Sequence, residues 1–267
     1  MKDLKGKVSV ITGGGTGIGL AIALELAKAG DAKIVIASTN TERLGEGAEE
    51  LRKAGAEVLT VVCDVSSRSD VQNLHHTAIA KYGQVDIVVC SSGVTTGGPY
   101  VNHRPEDWDW VFGVCLYGPA YCIQSFYPEM VTRNSGHIVL VGSQAGMNPT
   151  WFAHHGPYTA AKSGVMALGA ALRLEALEHN VGVTSVIVAA TTTSIMKCER
   201  SRPEKYGTSQ AFDAEKRTAR RIPAADVGRM AVQGIIDNKE WVATHPELKQ
   251  MQKEYFERIL AAYDHEG

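Results

Sequence analysis

Residues 12–19 read TGGGTGIG, from Thr12 to Gly19, between a β-branched run at 7–12 and a stretch with apolar residues every three or four positions. Glycine tolerates positive φ and lets the main chain come close to a ligand. A helix starting there offers unpaired N–H groups and its positive dipole end to a pyrophosphate. Strand, glycine turn and helix in that order form the context in which such a turn binds a dinucleotide. Gly13, Gly17 and Gly19 give the spacing GxxxGxG, with Gly15, Thr16 and Ile18 between them. Alone, this predicts a bound nucleotide and nothing about the reaction.

Outward from this turn the same alternation repeats. Ile18, Ile22, Leu26 and Ala29 share one helical face, and Gly30 closes that helix. Strands are predicted at 33–37, 57–62, 85–90, 137–141 and 182–188, and helices at 41–54, 69–82, 105–133 and 157–178. Near-continuous apolar strands between amphipathic helices imply a doubly wound parallel α/β sheet with helices on both faces. The alternation never breaks for long, so residues 1–267 are expected to form a single nucleotide-binding domain. The polar stretch at 194–222, rich in Arg and Lys, reads as a lid or a mobile loop. Beyond it, two helices flank a short strand at 241–244.

Composition narrows the class. The 267 residues are 44% hydrophobic and carry a formal net charge of -2. A nucleic-acid binder would show a basic surplus. No apolar run reaches the roughly 18 residues of a membrane helix, and no apolar leader precedes the first strand. The five cysteines, Cys63, Cys90, Cys115, Cys122 and Cys198, contain no CxxC and lie mostly in apolar runs. Reduced buried thiols in a cytoplasmic protein are the expectation. Partners are expected to be small molecules, with no nucleic acid, no membrane and no metal.

Tyr158 and Lys162 form YxxxK, and four residues apart on a helix their side chains point the same way. A phenol titrates near pH 10, and a neighbouring ammonium favours the phenolate. Such a tyrosine can give a proton to a ketone or take one from an alcohol. Ser143 follows the strand at 137–141, and the carboxyl ends of parallel strands are where ligands bind. Its hydroxyl can hold a substrate oxygen as charge develops there, or it can cap a turn.

Taken in order, the glycine turn, Ser143 and YxxxK resemble the short-chain dehydrogenase/reductase family over residues 5–195. The resemblance implies a Rossmann-type fold and an NAD(P)-dependent interconversion of a secondary alcohol and a ketone. It implies Tyr158 as acid/base, Lys162 as the group that lowers the tyrosine pKa and binds the nicotinamide ribose, and Ser143 as the residue that polarises the carbonyl. It implies a cofactor held by Gly13, Gly15, Thr16, Gly17, Ile18, Gly19, Ser38, Thr39, Asp64, Val65, Ser91, Gly93, Tyr158, Lys162 and Thr193. Asp64 has two readings, an adenine contact and an Asx turn. A homo-oligomer, dimer or tetramer, is also implied.

The chain departs from the family at three places. Cys90, Ser91, Ser92 and Gly93 stand where the family often has NNAG. Cys115, between Val114 and Leu116, replaces a catalytic asparagine whose carboxamide holds a relay water, and a thiol cannot copy it. Val188, Ala189 and Ala190 replace the usual proline and glycine before Thr193. The missing amides at Cys90, Ser91 and Cys115 motivate a rival reading, a nucleotide-binding regulatory or scaffold protein with weakened turnover. A dehydratase or epimerase on the same fold is a further alternative.

The second strand ends at Ser38 and Thr39, where an NAD reader places an acid for the ribose 2′-OH. With no acid there, NADP is favoured over NAD. Met147, Trp151, Phe152, Ile195 and Met196 suit a mostly apolar alcohol or ketone, although Trp151 and Phe152 can instead pack on a neighbouring subunit. His154 and His155 lack a third ligand at metal-binding spacing and read as loop residues.

Overall fold

A computed structural model describes residues 1–30, 32–209 and 220–264. In chain order the main elements are β1 (Val8–Thr12), α1 (Gly17–Ala27), β2 (Lys33–Ser38), α2 (Thr41–Lys53), β3 (Glu57–Val62), α3 (Arg68–Tyr82) and β4 (Ile87–Cys90). Next come α4 (Pro105–Phe112), α5 (Gly118–Thr132), β5 (Gly136–Val141), α6 (Gln144–Met147), α7 (Gly156–Leu177) and β6 (Val181–Ile187). The described chain finishes with β7 (Thr191–Thr192), β8 (Ile222–Pro223), α8 (Ala224–Ile236), β9 (Trp241–Ala243) and α9 (Lys249–Leu260).

Seven strands form one parallel sheet in the order β3-β2-β1-β4-β5-β6-β9. Successive side chains of a strand point to opposite faces, and here both faces are buried. Val10, Val35, Val88 and Ile138 join one core, while Ile11, Ile34, Val89 and Val139 join the other. Helices α3, α5 and α7 contribute Leu74, Phe126 and Val165 to the first core, and α1, α2 and α8 contribute Ile22, Leu51 and Ile235 to the second. The doubly wound sheet expected from the apolar strands is therefore the fold.

Local chemistry sets the boundaries. Asn40 caps α2 by accepting from the Arg43 amide at 2.8 Å, and Gly83 ends α3 at φ 79°. Two expectations need correction. Helix α1 ends at Ala27 with Lys28 as its C-cap, so Ala29 and Gly30 lie in the turn beyond it. The helix predicted at 105–133 is interrupted by a π-helical turn, Gly113–Tyr117, in which the Gly118 amide reaches back to the Gly113 carbonyl. Pro119 has no N–H to give the carbonyl four residues earlier, and the wider turn absorbs that loss. The turn also presses Gly118 onto Val65, where a Cβ would lie 2.9 Å from Val65 Cγ2.

The chain order reverses between β1 and β4, which opens a crevice at their carboxyl ends. Thr12 joins the two strands there, its Oγ1 accepting from the Ser91 amide at 3.1 Å. At the far end, α9 reaches the body through Gln252, which donates to the Met147 carbonyl at 2.9 Å and accepts from Gln144 at 2.7 Å. No described helix is long and apolar enough to cross a membrane.

Candidate active site

The crevice is a cleft of about 580 Å3. One end is the glycine turn. Gly13 and Gly17 sit at φ 65° and 60°, and a Cβ on Gly19 would collide with the Gly13 carbonyl. The turn is thus packed as tightly as backbone allows, leaving an open cradle at the start of α1, which fits a dinucleotide pyrophosphate. Gly13, Thr16, Gly17, Ile18 and Gly19 border the cleft, as do Ser38, Thr39, Asp64, Val65, Ser91, Gly93 and Thr193. Gly15 does not. It lies against α2, where a Cβ would stand 3.0 Å from the Arg43 carbonyl.

Asp64 fulfils its local reading and still borders the cleft. Its Oδ1 accepts from the Ser66 amide at 2.9 Å and the Ser66 hydroxyl at 2.7 Å, forming an Asx turn. Arg43 was not singled out by the sequence. It is the third residue of α2 and borders the cleft, as Ser38 and Thr39 do, and its Nη1 donates to Ser201 Oγ at 3.4 Å.

Ser143, Tyr158 and Lys162 converge on the middle of the cleft. Ser143 caps α6, its Oγ accepting from the Ala145 amide at 3.1 Å. The cap occupies an acceptor lone pair, so the hydroxyl hydrogen is left to donate elsewhere. Tyr158 is buried, and its ring meets the edge of Phe152 at 5.5 Å between centroids. Lys162 Nζ stands 5.8 Å from the Tyr158 ring centroid and donates to the Val141 carbonyl at 2.7 Å. Burial holds the Lys162 pKa below that of an ordinary lysine, while the neighbouring Cys115 and Cys90 thiols act weakly the other way.

Cys115 is fully buried in the π turn. Its thiol donates to the Val94 carbonyl at 3.2 Å and accepts from the Val94 amide at 3.4 Å. Burial raises its pKa against the opposing charge of Lys162, so the hydrogen stays on sulfur. Cys198 treats the next residue identically, with 3.2 Å contacts to the Thr95 amide and carbonyl. Burial pushes its pKa up to about 11. Two thiols from distant segments therefore fix the chain after β4. Nothing local announces Cys198, whose partner lies 103 residues away.

The other side of the cleft is apolar, with Trp110, Val114, Trp151, Phe152, Ile195 and Met196 along it. Trp110 and Val114 were not foreseen. His155 is buried, stacked on Phe152 at 3.7 Å, with Nδ1 2.8 Å from the Thr96 carbonyl. Among the described residues no three His, Cys, Asp or Glu gather as a metal site. Residues 195–206 wind through two 3-10 turns beside the cleft. The expected lid at 194–222 extends into 210–219, which lie outside the described residues.

A C alpha-dehydrogenase of Sphingobium sp. strain SYK-6 is 29% identical over 269 residues, covering 97% of this chain and 87% of that protein. A short-chain dehydrogenase/reductase from Burkholderia phymatum, solved in complex with NAD, superposes with a TM-score of 0.90 at 31% identity, over 98% of this chain and 97% of that one. A metagenomic short-chain oxidoreductase in complex with NADP gives a TM-score of 0.73 at 27% identity, over 90% and 96%. The family described as short chain dehydrogenase matches residues 7–204, which span both the glycine turn and YxxxK. On that match and on this geometry, the chain belongs to the short-chain dehydrogenase family of oxidoreductases.

Proposed function

We propose that the protein interconverts a secondary alcohol and a ketone, with NADP favoured over NAD as the hydride carrier. The observation that carries this reading is the convergence of Ser143, Tyr158 and Lys162 on a cleft that the glycine turn also borders. When bound, the nicotinamide supplies or accepts the hydride. The protein does the rest. The Ser143 hydroxyl donates to the substrate oxygen, and Tyr158 gives that oxygen its proton in reduction or removes it in oxidation. The Lys162 ammonium, anchored on the Val141 carbonyl, steadies the phenolate that forms. The apolar wall from Trp110 to Met196 excludes water and suits a mostly apolar substrate.

The NADP preference rests on two neighbours of the adenosine end. Ser38 puts no negative charge there, and Arg43 brings a guanidinium suited to a phosphate. Residues 1–267 are read as one dinucleotide-binding domain. Exposed Tyr117 on the turn between α4 and α5, with exposed Leu174 and Leu177 on α7, supports a homo-oligomer.

The rival reading, a nucleotide-binding protein without turnover, has one observation in its favour. Both hydrogen bonds of the Cys115 thiol go to Val94, which leaves it none for a relay water. Absorbance at the reduced nicotinamide band, followed with a panel of ketones and alcohols and both cofactors, separates the two. Turnover supports the enzyme. Tight cofactor binding with no turnover across the panel supports the rival.

A further inference from the structure

The segment after β7 is stitched to the body at several points. Cys198 holds both main-chain groups of Thr95. Arg43 reaches Ser201. The strongest attachment is Arg202, whose Nη2 lies 2.6 Å from Asp107 Oδ1 with both side chains about 98% buried, at 2% and 3% exposure. The same Nη2 donates to the Tyr206 carbonyl at 2.8 Å, and Arg104 donates to that carbonyl at 3.0 Å. Asp107 Oδ2 accepts from the Arg104 amide at 2.9 Å, so each carboxylate oxygen has a cationic residue or an amide against it. The guanidinium carbon lies 4.9 Å from the centre of the Trp110 ring. Trp110 borders the substrate side of the cleft, and so do Cys198, Ser201 and Pro203 on either side of Arg202.

This arrangement is poor as a source of stability. Two charges have left water, and among the described residues Asp107 Oδ1 and Arg202 Nε and Nη1 make no well-aligned hydrogen bond; Nε has only the partly exposed Glu199 carboxylate, at 3.8 Å. A buried ion pair with unfilled donors recovers little of its desolvation cost, whereas it does fix geometry. Its geometry ties α4 to residues 195–206 with the Trp110 indole between them and the cleft.

We propose that residues 194–209 are a fixed wall of the substrate pocket, not a swinging lid, and that Asp107 and Arg202 are positioning residues that set where substrate sits. This rests on the alcohol–ketone reading above. Neither residue touches the reacting atoms, so losing the pair should loosen substrate binding and leave the chemical step alone.

The test uses the full chain with Asp107→Asn, Arg202→Met and the double substitution. Each single change is expected to raise KM for the ketone tenfold or more. The double change should be no worse than the poorer single, because both remove the same contact. We expect kcat at saturating ketone and the cofactor Kd to stay within twofold. Amide hydrogen exchange over residues 194–209 should quicken in Arg202→Met, while residues 12–19 stay as in the wild type. An unchanged exchange rate at 194–209, a KM within twofold, or a kcat that falls as far as kcat/KM overturns the proposal. If Arg202→Met does not fold, Arg202→Lys is read the same way, since lysine keeps the charge but loses the planar fork. Its expected KM rise is threefold. If the wild type turns over no ketone or alcohol, the functional reading fails separately, and the exchange measurement still decides whether the pair pins the wall.

Discussion

Lowering the pH should destabilise this protein through one histidine remote from the cleft. His137 is 1% exposed at the start of β5, and its Nε2 lies 2.8 Å from Thr184 Oγ1. The Thr184 hydroxyl gives its hydrogen to the Lys239 carbonyl at 2.6 Å, so His137 Nε2 must be the donor in their contact. That makes the ring the neutral Nε2–H tautomer, with Nδ1 bare against Gly182 and without a hydrogen-bond partner among the described residues. Burial pushes its pKa down to about 3 from an ordinary 6.5, with the N-terminus and Arg173 adding to the shift. The sign follows from linkage. Above pH 6.5 neither folded nor unfolded chains bind the proton. Below it the unfolded chain does and the folded chain does not, so stability falls with pH until about pH 3. By about pH 5 the loss is about 2 kcal/mol, within a ceiling of about 5 kcal/mol. For a chain of this size that is roughly 4–8 °C in Tm. Gln in place of His137 can offer an N–H to Thr184 but has no proton to gain. Thermal melts of wild type and His137→Gln between about pH 7.5 and pH 5 should diverge by that amount, the wild type falling faster. Parallel curves would refute the argument.

Three further outcomes bear on the site. Tyr158→Phe should abolish turnover and leave cofactor Kd within about threefold, because it removes one hydroxyl and little volume; a variant retaining most of its kcat ends the acid/base assignment. Ser38→Asp should weaken NADP more than NAD by on the order of 1–3 kcal/mol, roughly tenfold to a hundredfold, by setting a carboxylate near any 2′-phosphate and near Arg43. Cofactor titrations showing an unchanged NADP/NAD ratio would mean that residue 38 does not face the adenosine ribose. Cys115→Asn should fold, since a carboxamide has both the donor and the acceptor that Val94 requires, whereas Cys115→Ala should cost about 1–3 kcal/mol by orphaning the buried Val94 amide. Denaturant melts check the pair, and an alanine variant as stable as the asparagine variant would show that the Val94 contact carries little.

The sheet was legible because each buried strand is a short apolar run and the helices between them keep a 3.6-residue period. The turn at 12–19 and the YxxxK pair were legible because each acts through residues a few positions apart. What stayed hidden depends on contacts between distant parts of the chain. Trp110 reads as one more apolar residue in a long helix until Arg202 is seen beside it. The π turn at Gly113–Tyr117 is invisible to a periodicity that assumes regular winding, although Pro119 hints at it. Arg43 was within reach, since it lies only five positions beyond Ser38, but its partner Ser201 is far along the chain. Asp64 and Ser143 each had two sequence readings; the fold shows the local one for both, an Asx turn and a helix cap, and sets both residues on the cleft wall.

The tether between α9 and α6 matters to anyone who builds with this protein. Gln252 hydrogen-bonds Gln144 and Met147, the two ends of α6, so α9 helps hold the short helix that Ser143 caps, and with it the hydroxyl proposed to meet the substrate oxygen. A truncation upstream of residue 252, or a bulky reporter fused close behind α9, would strain that support from the outside. The resulting enzyme would look like an active-site mutant with an unaltered active site. The other end carries a similar warning, since the Met1 ammonium bonds the Ile235 carbonyl at 3.1 Å on α8. Purification handles and fluorescent partners are therefore better carried on a long flexible spacer, and loss of activity in a fusion should be checked against the cleaved protein before it is blamed on chemistry.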